Sequence, residues 1–373
     1  MAIDWHSAIM CPSSKPLQIA DTTIQFGGNV MQNVARVVAA SAFCAALAMS
    51  PAVYGADAKP EKADVKIAVG GKSFMIYLPL TLTERLGYFK DAGLNVEVTD
   101  FGSGTKSLQA LIAGNVDATA GSFDHTIQMQ AKGQPIVAVV ETGRYPGIVL
   151  GLVTSKKLDY HSPKDLKGLK IGVTAPGSQT NFMVNYILTK NGMKPEDVSF
   201  IGVGGPTTAV AAVKKGEIDA LSHADPAITQ VELSGELTPI FDTRTTAGTQ
   251  AVFGGEYPSS VMYVSPAFAE TNPNTVQAIV TATVRTLRWI AKSTPEEIAK
   301  AMPPEYQGKD PALYVEIIKK SKAMYPSDGR INKAGAENAY KVLSAFDAAV
   351  AKAKIDISAT YTDRFVDKAL AAQ

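Results

Sequence analysis

Cysteine and histidine are scarce in this chain of 373 residues, with two cysteines, Cys11 and Cys44, and four histidines. So few thiols exclude a disulfide framework and a cysteine-rich zinc site, and four imidazoles leave little for metal chemistry. Charge of one sign is not in excess either. Thirty-six basic residues against 35 acidic ones give a net charge of +1, which supplies no bulk attraction to nucleic acid or to an anionic membrane. Tryptophan occurs twice, and beyond the N-terminal segment Trp289 stands alone, which counts against a tryptophan-lined cage for a quaternary ammonium. What is abundant is apolar: 46% of residues are hydrophobic and 19% charged. Such a chain can bury a full core, and its length suits two domains of ordinary size.

Residues 31–58 read MQNVARVVAASAFCAALAMSPAVYGADA. One charge, Arg36, precedes an apolar run, and Pro51 with small residues follows it, the three-part pattern of a secretory signal. The run, 37–49, covers about 13 residues, short of the roughly 20 that a membrane span needs. Cleavage is expected after Ala58, which closes Ala56-Asp57-Ala58, or after Gly55. A buried N-terminal helix is the alternative reading. Met31 is a second candidate initiator, which would make 1–30 a mis-called extension. Cys44 follows Phe43 inside the apolar run, unlike the small-residue box of a lipoprotein, so cleavage would leave an exported, periplasmic chain without a thiol.

From residue 65 the pattern alternates. A strand is expected over 65–69, a helix over 78–86, a strand over 95–98, a helix over 106–113 and a further strand at 116–120, a spacing that implies right-handed βαβ units on a parallel sheet. The pattern then repeats. GSGTKSLQALIAGNVDATAG, from Gly102, aligns without a gap on GGPTTAVAAVKKGEIDALSH, from Gly204, placing Thr105 on Thr207, Gly114 on Gly216, Asp117 on Asp219 and Ala118 on Ala220. The expected organisation is two βαβαβ lobes: 59–143 with 244–373 as lobe 1, and 144–243 as lobe 2. Apolar strands at 136–140 and 148–153 flank a Gly/Pro turn that suits a crossover between them, and 238–246 with 260–264 would cross back. After Pro266 the apolar residues recur at three- and four-residue spacing, predicting amphipathic helices over 275–292, 295–301, 311–325, 334–352 and 362–372.

Each lobe offers three turns rich in Gly, Ser and Thr: 70–73, 102–105 and 121–126, then 174–180, 204–208 and 222–226. In an open parallel sheet such turns gather at the carboxyl edge, where ligands bind. Helix N-termini there present unpaired N–H groups suited to carboxylate, sulfonate or phosphate, although any single Ser or Thr can equally be a helix cap. Sharper chemistries fail. Gly70-Gly71-Lys72-Ser73 resembles the end of a P-loop, but Lys66 stands where its first glycine is required; Gly102-Ser103-Gly104 lacks the third glycine of a dinucleotide fingerprint, Ser107 taking its place. His125 and His223 sit at third turns beside Asp124 and Asp225, and three readings stay open: ligand hydrogen bonding, a satisfied core histidine, or, with less support, a metal pair. Asp225-Pro226 also suits a helix start. Arg144, in a Gly-rich crossover, is the cation best placed to fork onto an anionic head group, with a surface arginine as the alternative. Phe74, Tyr77, Phe101, Phe123 and Tyr257 could line an apolar wall.

Three stretches together, 83–96 (TERLGYFKDAGLNV), 102–118 with its Gly114-Asn115-Val116-Asp117-Ala118, and Ser162-Pro163-Lys164-Asp165-Leu166-Lys167-Gly168, with the closing Tyr361-Thr362-Asp363-Arg364-Phe365, resemble the solute-binding proteins of ABC importers. The likeness is to the nitrate/sulfonate/taurine branch, related to the NMT1/THI5-like thiamine-pyrimidine proteins, and covers nearly all of 64–370. It implies an α/β, two-lobed type II periplasmic-binding fold, each lobe a mainly parallel sheet flanked by helices, with a helical C-terminal extension. It also implies hinge closure on a small, anionic organic solute (sulfonate or carboxylate), delivery to an ABC permease with its ATPase, a monomer, no cofactor and no nucleic acid. The pocket positions that it implies are Ser73, Phe74, Ser103, Ser122, His125, Arg144, Ser178, Gln179, Thr180 and His223. Where other members place a tryptophan before the Asp-Pro pair, this chain has His223-Ala224, which counts against an ordinary taurine or alkanesulfonate ligand. Rival readings are a thiamine-pyrimidine precursor as ligand, a sensory binding protein, or an enzyme. Desulfinases and pyrimidine synthases resembling this family use cysteines that the exported chain lacks.

Overall fold

The computed structural model describes residues 59–308 and 310–372; the secretory pattern at 31–58 and the segment 1–30 lie outside them. From the amino end come β1 (Asp64–Val69), α1 (Leu78–Arg85), β2 (Asn95–Asp100), α2 (Gly104–Ile112), β3 (Ala118–Ser122), α3 (Asp124–Ala131) and β4 (Val137–Gly143). The chain continues through β5 (Ile148–Val153), β6 (Lys170–Val173), α4 (Gln179–Lys190), β7 (Ser199–Gly202), α5 (Pro206–Lys214), β8 (Ala220–Ala224), α6 (Ala227–Leu233) and β9 (Leu237–Asp242). It returns through α7 (Thr246–Phe253) to β10 (Ser260–Val264), then runs through a helical tail that includes α8 (Pro273–Lys292), α9 (Lys333–Phe346) and α10 (Arg364–Ala371).

These strands build two five-stranded sheets, ordered β2-β1-β3-β10-β4 and β7-β6-β8-β5-β9. In each sheet four strands share one direction and one, β10 or β5, runs against both neighbours. The reason lies in the connections. A parallel neighbour requires a crossover, usually through a helix. The link from β4 to β5 is only residues 144–147, so the chain leaves one sheet at its carboxyl edge and enters the other at the edge facing it. That short link turns β5 backwards and sets the two carboxyl edges opposite each other. The sheets are therefore mixed, with the mainly parallel character expected from the sequence.

The internal repeat has a physical origin. Asp117 Oδ2 accepts from the Lys66 N–H at 2.9 Å, and Asp219 Oδ2 accepts from the Lys170 N–H at the same distance. Each aspartate also takes an ammonium, from Lys62 at 2.6 Å and from Lys156 at 3.1 Å. Before each, a glycine (Gly114 or Gly216) turns the chain with φ near +70°, the left-handed conformation that ends a helix cheaply only as glycine. Gly-x-x-Asp thus closes a helix and ties the following strand to its parallel neighbour, β1 in one sheet and β6 in the other.

Helix α8 shows how the tail covers the first sheet. Val276, Ile279, Val280, Val284, Leu287 and Ile290 are buried at three- and four-residue spacing. The helix expected over 334–352 is instead two, because Asp347 caps a second helix, Ala348–Lys352, and accepts from the Gln128 amide at 2.9 Å. The return passage likewise carries a helix, α7, where only strand was expected. Among the described residues no helix is long and apolar enough to cross a membrane.

Gly70, at the end of β1, lets that turn touch α2: a Cβ there would lie 2.4 Å from Ser103 C and Gly104 N, both backbone atoms. Gly70→Ala should therefore cost roughly 1–3 kcal/mol and lower Tm by about 3–6 °C. Gly202→Ala, where a Cβ meets only ordinary contacts of 3.7 Å or more, should leave Tm within error in the same scan.

Candidate functional site at the facing sheet edges

The turns that follow β1, β3, β6 and β8 meet across the gap between the sheets. Backbone and side-chain hydrogen bonds cross it: Met75 N–H to Asp225 O at 3.1 Å, and Thr105 Oγ1 to Pro176 O at 3.0 Å. Between these contacts lies a cavity of about 40 Å³. Phe74, Tyr77, Ser122 and His125 line one side of it, and Thr174, Ser178, Gln179 and Thr180 the other. That space holds a few waters at most, whereas organic ligands occupy pockets of roughly 300 Å³ or more. Admitting a solute requires the sheets to part.

At the head of α4 three hydroxyls gather. Thr174 Oγ1 lies 2.8 Å from Ser178 Oγ and 3.1 Å from Thr180 Oγ1, and the latter two are 2.8 Å apart. The N-terminus of a twelve-residue helix adds unpaired N–H groups and partial positive charge at the same spot. This corner can bind an oxyanion by many neutral donors. No lysine or arginine lines the cavity among the described residues, and Arg144, the cation expected at an anionic head group, is not among its walls.

Opposite stands a buried acid. Asp124 is fully buried; Ser122 Oγ donates to its Oδ2 at 2.6 Å, Gln179 Nε2 to the same oxygen at 3.0 Å, and the Tyr257 hydroxyl to its Oδ1. Burial pushes its carboxyl above the ordinary 3.8, while the three hydrogen bonds oppose the rise. Gln179 Oε1 in turn accepts from Ser259 Oγ at 2.8 Å. One glutamine of the second sheet's α4 therefore bonds two groups on the first-sheet side. Asp124 could have been singled out from its place beside His125 in a third turn. Tyr257 was expected as part of an apolar wall and not as a donor to this acid, and Ser259 carried no signal, since both reach the site from far along the chain.

Six of the ten residues anticipated for the pocket line this cavity: Phe74, Ser122, His125, Ser178, Gln179 and Thr180. The other four do not. Ser103 caps α2 by accepting from Lys106 N–H at 3.4 Å, and Ser73 sits half-buried on the preceding turn. The His223 ring is buried 5.0 Å from Phe74, its Nε2 3.0 Å from Gly204 O and its Nδ1 3.2 Å from Ala224 O, which makes it a core histidine held by backbone. Arg144 projects into a separate cavity beside the sheet-to-sheet passages. Asp225 accepts from Thr229 N–H at 2.8 Å, the structural capping role open to it. Among the described residues no group of three His, Cys, Asp or Glu could hold a metal.

His125 lies 3.2 Å from Tyr263 Oη through Nδ1, and its buried Nε2 has no well-formed hydrogen bond. Burial is the chief cause that lowers it from the ordinary 6.5 to about 4. Unfolding thus takes up a proton between these values, so His125 costs nothing above pH 6.5 and withdraws stability progressively as pH falls toward 4. In urea titrations at pH 7 and 4.5, the parent should lose roughly 2 kcal/mol more than His125→Gln. Gln179→Ala, which removes two of the bonds across the gap, should shift the protein toward a more open form, read as a larger radius of gyration in small-angle scattering; an unchanged radius would mean that these two bonds do not hold the sheets together.

Known proteins share this architecture. A solved structure from Bordetella bronchiseptica RB50 is 46% identical, with a TM-score of 0.81 over 84% of this chain and 99% of that one. The alkanesulfonate-binding protein SsuA from Xanthomonas axonopodis pv. citri, bound to MOPS, superposes with a TM-score of 0.63 at 17% identity, over 81% and 99% of the two chains. In sequence, the 4-amino-5-hydroxymethyl-2-methylpyrimidine phosphate synthase THI13 of Saccharomyces cerevisiae is 27% identical over 146 residues, 39% of this chain and 41% of that enzyme, so the match spans about two fifths of its length. The chain has the fold of the periplasmic solute-binding proteins. A family model described as NMT1/THI5 like matches residues 77–298, more than half of the sequence, and the chain belongs to that family.

Proposed function

We propose that this protein is the extracytoplasmic solute-binding component of an ABC importer, exported by the signal at 31–58, and that it captures a small organic solute between its two lobes for delivery to a permease and its ATPase. The lobes in this reading are 59–143 with 244–373, and 144–243. The observation that carries it is the pair of carboxyl edges, aimed at each other by short crossings and bridged by Gln179, with turns from both sheets lining one cavity. Two bodies joined by the passages 144–147 and 243–259, and touching through polar bonds and through rings of α4, Phe182 on Phe346 at 5.9 Å and Tyr186 on Phe253 at 5.8 Å, are suited to hinge closure on a ligand.

The solute's head group in this reading is a sulfonate or carboxylate seated at the start of α4, against Ser178, Thr180 and the helix amides. Phe74 and Tyr77 offer its body an apolar wall. One observation favours the second reading, a thiamine-pyrimidine precursor: the cavity is lined by no lysine or arginine among the described residues, and the buried Asp124 is tied to two of its walls through Ser122 and Gln179. A ligand with amino-group donors would suit that acid. Binding without catalysis is supported by the sequence, since Cys11 and Cys44 both precede residue 59 and the cysteine-dependent chemistries on similar folds have no nucleophile to use.

A thermal-shift screen of sulfonates, carboxylates and pyrimidine precursors against the exported chain separates these readings. Anionic ligands should raise Tm, and Ser178→Ala or Thr180→Val should each weaken the best of them about tenfold, or about 1.4 kcal/mol. Stabilisation by an aminopyrimidine alone, lost in Asp124→Asn, would replace the anion reading with the second. Protein recovered from the periplasm should begin at Lys59 or Ala56.

A further inference from the structure

A space larger than the gap between the sheet edges lies close to it. Beside the two passages that connect the sheets lies a cavity of about 420 Å³. The first passage gives it Arg144 and Tyr145, the end of β4 gives Glu141, and the return passage gives Gln250, Glu256 and Tyr257. Its remaining charges are already engaged. Arg330 donates to Asp367 at 2.6 Å, Asn332 donates to Glu256, and Asp328 accepts from the Arg330 N–H at 3.3 Å.

Glu141 and Arg144 differ from these. Glu141 is 3% exposed, its N–H is spent on Gly329 O at 2.8 Å, and its carboxyl has no hydrogen-bond or ion-pair partner among the described residues. The Arg144 guanidinium, on the same cavity, has none either. The Glu141 carboxyl faces the accessible space of the cavity, where a bound cation would take the place of water. Two opposite charges that share a cavity without pairing leave room for a molecule carrying the complementary pair. We propose that this cavity is a second binding site, for a small organic zwitterion whose ammonium meets Glu141 and whose carboxylate meets Arg144. The rings of Tyr145 and Tyr257, with Ile331 and Pro258, give an apolar lining that suits an aliphatic or aromatic side chain.

The placement has a consequence for motion. Both passages contribute walls, so an occupant is gripped by the segments about which the sheets would turn. Tyr257 belongs to this wall and also donates to Asp124, whose other partner Gln179 bridges the gap. Burial drives the Glu141 carboxyl well above the ordinary 4.5, with Arg144 opposing and Asp328, Asp363 and Glu256 adding to the rise. An ammonium arriving there would oppose that rise and favour the charged carboxylate.

Isothermal titration of the exported chain with L-phenylalanine and L-leucine, beside phenethylamine and 3-phenylpropionate, tests this. The amino acids should bind, and the two analogues, each keeping a single charge, should bind at least about tenfold more weakly. Glu141→Gln and, at an exposed position that tolerates change, Arg144→Ala should each weaken the amino acids at least about tenfold, while Thr180→Val at the sheet edges leaves them unaffected. No binding of either amino acid at millimolar concentration overturns the proposal. So does binding that survives both cavity substitutions, and so does binding lost in Thr180→Val, which would place the zwitterion between the sheet edges.

Discussion

A single buried carboxyl governs how the two halves meet. Asp124 sits where water does not reach, and an acid there is tolerable only if its oxygens are fully engaged. Ser122 of its own turn supplies one donor, but the other two come from Tyr257 in the return passage and Gln179 in α4. Satisfying Asp124 therefore draws together three segments that are remote in sequence, two on one side of the gap and one on the other. Parting the sheets exposes the Gln179 contact to water, which can replace it. The polar bonds across the gap are of modest net value, the kind of restraint that a ligand can exchange for its own contacts, while α4 also packs Phe182 against Phe346 and Tyr186 against Phe253.

The same economy shapes recognition. The facing edges contain hydroxyls, helix amides and aromatic walls but no side-chain cation, whereas the cavity beside the passages holds both signs of charge. Helix ends bind anions without the desolvation cost of burying a lysine or arginine. Arg144 is free of that cost because it remains exposed at the rim of the other cavity. Charge and closure are kept in separate places, with Tyr257 in contact with both.

Much of the fold was legible in the sequence because local chemistry repeats there. Gly114 and Gly216 demand a left-handed turn, and Asp117 and Asp219 each tie a strand to its neighbour, so matching residues about a hundred positions apart announced two similar halves. The β–α alternation and the spacing of Val276, Ile279, Val280 and Val284 were equally local signals. Of the site, the residues on strand-to-helix turns could be found by their position: Phe74, Ser122, His125, Ser178, Gln179 and Thr180. His223 and Ser103 occupy the same kind of turn yet serve the backbone, and composition could not tell the two fates apart. The break at Asp347 and the helix at 246–253 escaped notice because apolar spacing continues across the first and the second is too short to show a clear period.

What the sequence by itself determined was the set of local choices: where strands alternate with helices, which glycines turn the chain, and which turns carry hydroxyls. These depend on side-chain size, backbone freedom and hydrogen bonds within a few residues. Only the tertiary structure decided that Tyr257 and Gln179 would share one carboxyl, that Arg144 would stand apart from the gap it seemed suited to, and that Glu141 would be buried without a partner. Those outcomes depend on how the two passages, 144–147 and 243–259, orient whole sheets, and a rotation of either sheet would change every such contact while leaving the local choices intact.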